Sequence, residues 1–81
     1  MSAEHVVDAR GTRCPVPVVL AARAAAPLSP GEVLVLLADD PVAVTDVPAW
    51  AWLRGHTVTA REEEGWTRYT VVVGVAEARS T

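Results

Sequence analysis

The sequence predicts an α/β (α+β) fold: a two-layer sandwich of order β-α-β-α-β-β, with two helices on one face of a four-stranded mixed sheet. Three observations predict it. Glu32 to Ala38 reads Glu-Val-Leu-Val-Leu-Leu-Ala, a continuous apolar run of the kind found in strands buried on both faces. On either side of it lie Ala-, Leu- and Trp-rich stretches with proline near the start and proline or glycine at the end, the punctuation of short helices. Near the C-terminus, Tyr69, Val71 and Val73 alternate with Thr70 and Val72, the period of two that marks a strand. Two helices laid on one sheet give two layers around one core.

Taken in order, Glu4 to Asp8 predicts a short strand built on Val6 and Val7. Arg10-Gly11-Thr12-Arg13 predicts a turn, because glycine reaches backbone angles that other residues avoid. Pro15 suits the first helical position, where no backbone N–H is needed, and Pro17 is tolerable in the same turn. The helix then runs to about Ala26 and ends at Pro27 and Ser29-Pro30-Gly31. Arg23 marks its outer face. Val18, Ala21, Ala25 and Leu28 lie opposite and are expected in the core. Val19 and Leu20 fall on the Arg23 side, close to Cys14, as exposed apolar residues or a docking patch.

After the apolar strand, Asp39-Asp40-Pro41 is a break and Pro41 to Thr45 a short turn. Asp46 is expected to cap a second helix, with Pro48 in its first turn and Gly55 beyond its end. Val47, Trp50 and Leu53 are its expected buried side, with Trp52 pointing elsewhere. His56 to Arg61 predicts a third strand, with Val58 and Ala60 on one face. Glu62-Glu63-Glu64-Gly65 is a hairpin turn and Thr67 to Gly74 the last strand. Ala76 to Thr81 is expected to fray.

The chain has 81 residues, a length that predicts one domain over residues 1–81 with its core at about 4–74. Small domains have thin stability margins. The chain holds one Cys and two His, so an internal disulfide is impossible and a structural zinc site lacks ligands. The 51% apolar fraction is left to supply the core, and it argues against disorder. A net charge of −3 argues against direct nucleic-acid binding, which uses a basic patch. No apolar run approaches the ~18 residues of a membrane span, and the first residues do not resemble a signal peptide. A reducing cytoplasm, where a lone thiol persists, is the expected location.

The chemistry points to Cys14. A thiol reacts as its thiolate, and the ordinary cysteine pKa of ~8.5 falls beside a helix N-terminus or cations. Arg13-Cys14-Pro15-Val16-Pro17 places the thiol at a loop-to-helix junction, with Arg10 and Arg13 nearby. The unpaired N–H groups of the first turn are expected to favour a negative sulfur. With no second Cys, Cys-x-x-Cys redox chemistry within one chain is ruled out, while a lone activated thiol can still bond to another molecule's sulfur, which suits group transfer. The plain alternative is an inert, buried Cys acting as a small hydrophobe.

Other residues read more simply. His5 and His56 are strand-end side chains. Asp39 and Asp40 suit backbone capping better than metal binding. Glu62 to Glu64 is a solvated tip. Trp50 fills core, while Trp52 or Trp66 suits an interface.

Cys14-Pro15-Val16-Pro17 resembles the CPxP motif of the TusA (SirA/YeeD) family of sulfur carriers. The resemblance extends to Asp8-Ala9-Arg10-Gly11, Gly31-Glu32-Val33-Leu34, Ala38-Asp39-Asp40-Pro41, Asp46-Val47-Pro48-Ala49-Trp50, Gly55-His56 and Tyr69. It covers about residues 5 to 73. It implies the same sandwich, and a function: the CPxP cysteine, here Cys14, accepts sulfane sulfur as a persulfide and passes it on. The implied donor is a cysteine desulfurase or rhodanese. The implied acceptor is a downstream protein in tRNA thiolation, molybdenum-cofactor or sulfur metabolism. No cofactor is implied beyond the transient persulfide on Cys14. Gly11, Pro15 and Pro17 are expected to shape the motif. Arg10, Arg13, Val19, Leu20 and Arg23 are expected to stabilise the anionic sulfur or dock partners. Arg23 stands where family members often carry Lys, keeping the charge but changing hydrogen-bond geometry. Ala51 stands where some relatives have a second Cys, so a two-thiol mechanism is excluded. A monomer is the expected state. The competing reading is a non-enzymatic regulatory or protein-interaction module in which Cys14 is incidental.

Overall fold

The structure is a computed structural model and describes residues 4–74. The expected frayed segment, Ala76 to Thr81, lies outside the described residues. The elements are β1 (His5–Asp8), α1 (Val16–Ala25), β2 (Val33–Ala38), α2 (Ala43–Leu53), β3 (Thr57–Glu62) and β4 (Thr67–Val72). The sheet order is β1-β2-β4-β3. β1 runs parallel to β2, and the other pairs are antiparallel. The predicted architecture is therefore the observed one.

β2 is central because its apolar run can be buried on both faces. Leu34 and Leu36 point to the helices, while Val35 is buried on the opposite face. Leu36 pairs with Tyr69, and Leu34 with Val71, so the helix-facing rows of the two inner strands are continuous. Tyr69 is only 1% exposed. Ala21 and Ala25 of α1 and Val47, Trp50 and Ala51 of α2 close the core from above. Small residues on α1 let that helix approach the sheet closely.

Several local expectations are corrected. α1 begins at Val16, with Pro15 just outside it and Pro17 buried in its first turn. α2 begins at Ala43, so Pro41 to Thr45 is not all turn and Asp46 is not its cap. The reason is Asp40. Its Oδ1 accepts the Val42 amide at 3.0 Å and its carbonyl accepts the Ala43 amide at 3.0 Å, so winding starts at once. Pro48 consequently sits inside α2, where it removes one helical hydrogen bond.

Leu53, expected in the core, is 64% exposed. The buried stripe of α2 is Ala43, Val47, Trp50 and Ala51; at about 100° per residue, Leu53 falls well outside it. Trp52 is exposed, as expected. Ala60 is exposed although Val58 packs on the core, because β3 is an edge strand and its far end is not covered. Glu62 belongs to β3 and pairs with Thr67. The reversal is Glu63 to Trp66, closed by the Glu63 amide donating to the Trp66 carbonyl at 2.8 Å.

His56 ties the strand ends to α2. Its Nδ1 accepts the Gly74 amide at 3.0 Å, and its ring lies 5.1 Å from that of Trp50. Burial, then the charge of Arg54, pushes its pKa below the ordinary value. The unfolded chain therefore takes up this proton at a higher pH than the folded one. The His56 contribution to stability is complete above about pH 6.5 and falls as pH drops toward the depressed folded value. Urea unfolding between about pH 7.5 and pH 5 is expected to show this loss, and His56→Gln is expected to reduce it.

Candidate functional site

The site is the loop between β1 and α1, held against the exit of β2. Gly11 takes a φ of +85°, the left-handed region that favours glycine. Its amide donates to both carboxylate oxygens of Asp39, at 3.0 and 3.1 Å. The Thr12 hydroxyl donates to the Ala9 carbonyl at 2.6 Å. The Cys14 amide donates to Asp40 Oδ2 at 2.6 Å. Adjacent aspartates thus hold the loop on both sides of Arg13. Asp40 also orders the start of α2, so one carboxylate couples Cys14 to that helix. The Cys14–Pro15 peptide bond is cis.

Cys14 is half-buried and packs against the core. Tyr69 of β4 is buried in the same core against which Cys14 packs. Asp46, in the first turn of α2, acts on the thiol through its charge. Burial first, then Asp46 and Asp40, pushes the Cys14 thiol above its ordinary pKa.

This reverses the expected electrostatics. Arg10 is bound two-handed to Asp8, with Nε at 2.9 Å and a terminal nitrogen at 2.8 Å, and stacks 4.9 Å over the Trp66 ring. That pairing holds the Asp8 carboxyl at about 2. Arg13 acts on Asp40, helping to lower that carboxyl's pKa behind its bonds to Val42 and Cys14. The helix N-terminus also offers little. Pro15 and Pro17 have no N–H, and the Val16 amide donates to the Arg13 carbonyl at 2.9 Å. The thiol therefore sees two carboxylates more strongly than it sees cations.

On the outer side of α1, Val16 and Val19 are exposed beside the loop, as is Arg23. Leu20 is half-buried against the core instead of joining them. Pro17 is buried, so it shapes the site by packing as well as by its ring. Among the described residues, no three His, Cys, Asp or Glu side chains converge as metal ligands. Asp39, Asp40, Glu62, Glu63 and Trp66 line an open cleft between the β2 exit and the hairpin turn.

Sequence reading missed Asp46 as a neighbour of Cys14 and gave Asp40 only a capping role. Asp46 stands within one of the segments that carry the family resemblance, and that was the available signal. Its position relative to the thiol depends on how α2 crosses the loop.

The sequence profile described as "Sulfurtransferase TusA" matches residues 5–74, nearly all of the chain. The chain belongs to the TusA family. The crystal structure of a SirA-like protein from Desulfitobacterium hafniense superposes with a TM-score of 0.78 at 30% identity, covering 85% of this chain and 96% of that one. Membership of the TusA family brings its general function, sulfur relay by a persulfide carrier. A TusA-type carrier works between partner proteins, and no helix among the described residues is long and apolar enough to cross a membrane.

Proposed function

We propose that Cys14 is the sulfur-carrying residue, loaded as a persulfide by a donor protein and unloaded by an acceptor thiol. The observation that carries this reading is the placement of the chain's one thiol. It lies half-buried at a loop-to-helix junction, with its own amide clamped by Asp40. A cysteine with no task beyond packing does not need its backbone tied by a charged side chain. Such charge-assisted bonds are among the stronger ones, and this one fixes where the sulfur sits.

The donor is a cysteine desulfurase or rhodanese, and the acceptor belongs to tRNA thiolation, molybdenum-cofactor or sulfur metabolism. Val16, Val19 and Arg23 form the surface beside the loop where these partners dock. Arg23 offers a planar, multidentate donor where a lysine offers a point charge, and so selects among donors. The carrier acts as a single-domain monomer in the reducing cytoplasm, where its thiol stays unpaired.

Mass spectrometry after incubation with cysteine and a cysteine desulfurase tests the role. The expected product is the chain carrying one extra sulfur on Cys14. If an established acceptor gains sulfur in the same mixture and this chain does not, the desulfurase-loaded carrier role is lost.

A further inference from the structure

We propose that the cleft between the C-terminal ends of α1 and α2 binds a short apolar carboxylate, its headgroup held by Arg54 and His56. This cleft is not the sulfur site. Cys14 stands before the first turn of α1, and the cleft opens beside that helix's last turn. About 15 Å of helix separates the two.

The walls follow from the packing. Ala22 and Ala25 of α1, Trp50 of α2 and Val73 beyond β4 line the cleft. Alanines leave room there that larger side chains would fill, and the cleft has a volume of about 360 Å³. Ala25, Trp50 and Val73 are buried core residues, so the floor is the margin of the core itself. Small-molecule sites are mostly apolar clefts of roughly 300–1,000 Å³ with a few well-placed polar groups. This one is at the small end of that range, which suits a short ligand.

The polar groups are both donors. His56 Nδ1 accepts the Gly74 amide at 3.0 Å. A backbone N–H can only donate, so Nδ1 bears no proton and the neutral ring carries it on Nε2. The Trp50 ring, 5.1 Å away, packs beside the imidazole. Arg54 is the exposed residue that closes α2 and also lines the cleft. A cation suits the C-terminal end of a helix. Among the described residues, neither the Arg54 guanidinium nor His56 Nε2 has an acceptor, and no carboxylate pairs with Arg54.

These features select the ligand. The planar guanidinium fork matches a carboxylate, and Nε2–H supplies one more bond. The tail lies on alanine and tryptophan, where apolar surface leaves water. An ammonium ligand is repelled by Arg54. A large polar anion finds no further donors on the apolar walls.

NMR titration of the isotope-labelled whole chain with hexanoate tests the site, at about pH 7.5, where His56 is neutral. Saturable shifts are expected at the Trp50 indole N–H and the Gly74 amide. Hexanol, with the tail alone, and acetate, with the headgroup alone, are each expected to bind at least about 10-fold more weakly. Arg54→Gln is expected to weaken hexanoate by about 10-fold, and Arg54→Lys to recover part of that loss. Ala22→Leu fills the cleft and is expected to abolish binding. If that variant fails to fold, Arg54→Gln decides the matter, because its side chain is exposed.

Three results overturn the proposal. One is no saturable shift with hexanoate at Trp50 and Gly74. Another is hexanol or Arg54→Gln matching the wild-type chain with hexanoate, which leaves an apolar surface without a headgroup site. The third is nuclear Overhauser contacts that place residues 75–81 against Trp50, since the chain then fills the cleft itself.

Discussion

With Cys14 as the proposed carrier, replacing it by Ser is expected to abolish sulfur loading and relay while leaving the chain folded. The loss is complete, because the chain has no second cysteine to substitute and a hydroxyl forms no persulfide. The fold survives because serine differs by one atom. Cys14 is half-buried at the margin of the core, so the stability change is expected to stay within about 1 kcal/mol. The clamp on Asp40 uses the backbone amide and is untouched. Mass spectrometry of the loaded protein and a thermal melt check both halves. A variant that still binds its partner but carries no sulfur separates carrier from interaction module. Retention of the cellular activity by Cys14→Ser makes the thiol incidental.

Gly74→Ala has the largest expected effect on stability. A Cβ built at Gly74 would stand 1.8 Å from the Gly55 carbonyl oxygen and 2.9 Å from its carbon. Both are backbone atoms, so no side-chain rotation relieves the overlap. The residue also donates its amide to His56 at 3.0 Å. Relief requires the end of β4 to part from the turn after α2, which breaks that bond and loosens His56 from Trp50. Overpacking in a core costs about 1–3 kcal/mol. The rigid partner here places Gly74→Ala at about 3 kcal/mol or more, a large share of a small domain's stability. Chemical denaturation measures it. A loss below about 1 kcal/mol would show that the strand end shifts freely.

The core of the fold was legible because its signals are local. The apolar run from Val33 to Ala38 declares a central strand whatever packs against it. The alternation through Tyr69, Val71 and Val73 declares which side of β4 faces inward, and all three are buried. The errors fall where a distant residue intervenes. The start of α2 was placed at Asp46 because Asp is a good cap. Asp40 takes that task instead and starts the helix earlier, while packing selects a buried stripe of Ala43, Val47, Trp50 and Ala51 that leaves Leu53 outside. Leu20 was placed outside by its angle from Arg23 alone, but helix packing brings it against the core.

The site divides in the same way. Cys14, the turn at Gly11 and the prolines are contiguous in sequence, so the thiol's position at a helix start could be read directly. The expected activation by Arg10 and Arg13 could not survive, because charge acts through space. Arg10 turns to Asp8 and Trp66, while Asp40 and Asp46, 26 and 32 positions further along the chain, arrive beside the sulfur.

The sequence by itself determined the order of elements, the lone thiol at the head of the first helix and the family to which the chain belongs. Each of these is carried by neighbouring residues or by motif spacing. Tertiary structure alone decided what surrounds that thiol. The close packing of α1, α2 and β4 buries Cys14 partly and turns two carboxylates toward it. Electrostatic energy depends on distance and desolvation, not on position along the chain. A cysteine flanked by arginines in sequence therefore becomes, in the folded protein, a cysteine governed by aspartates.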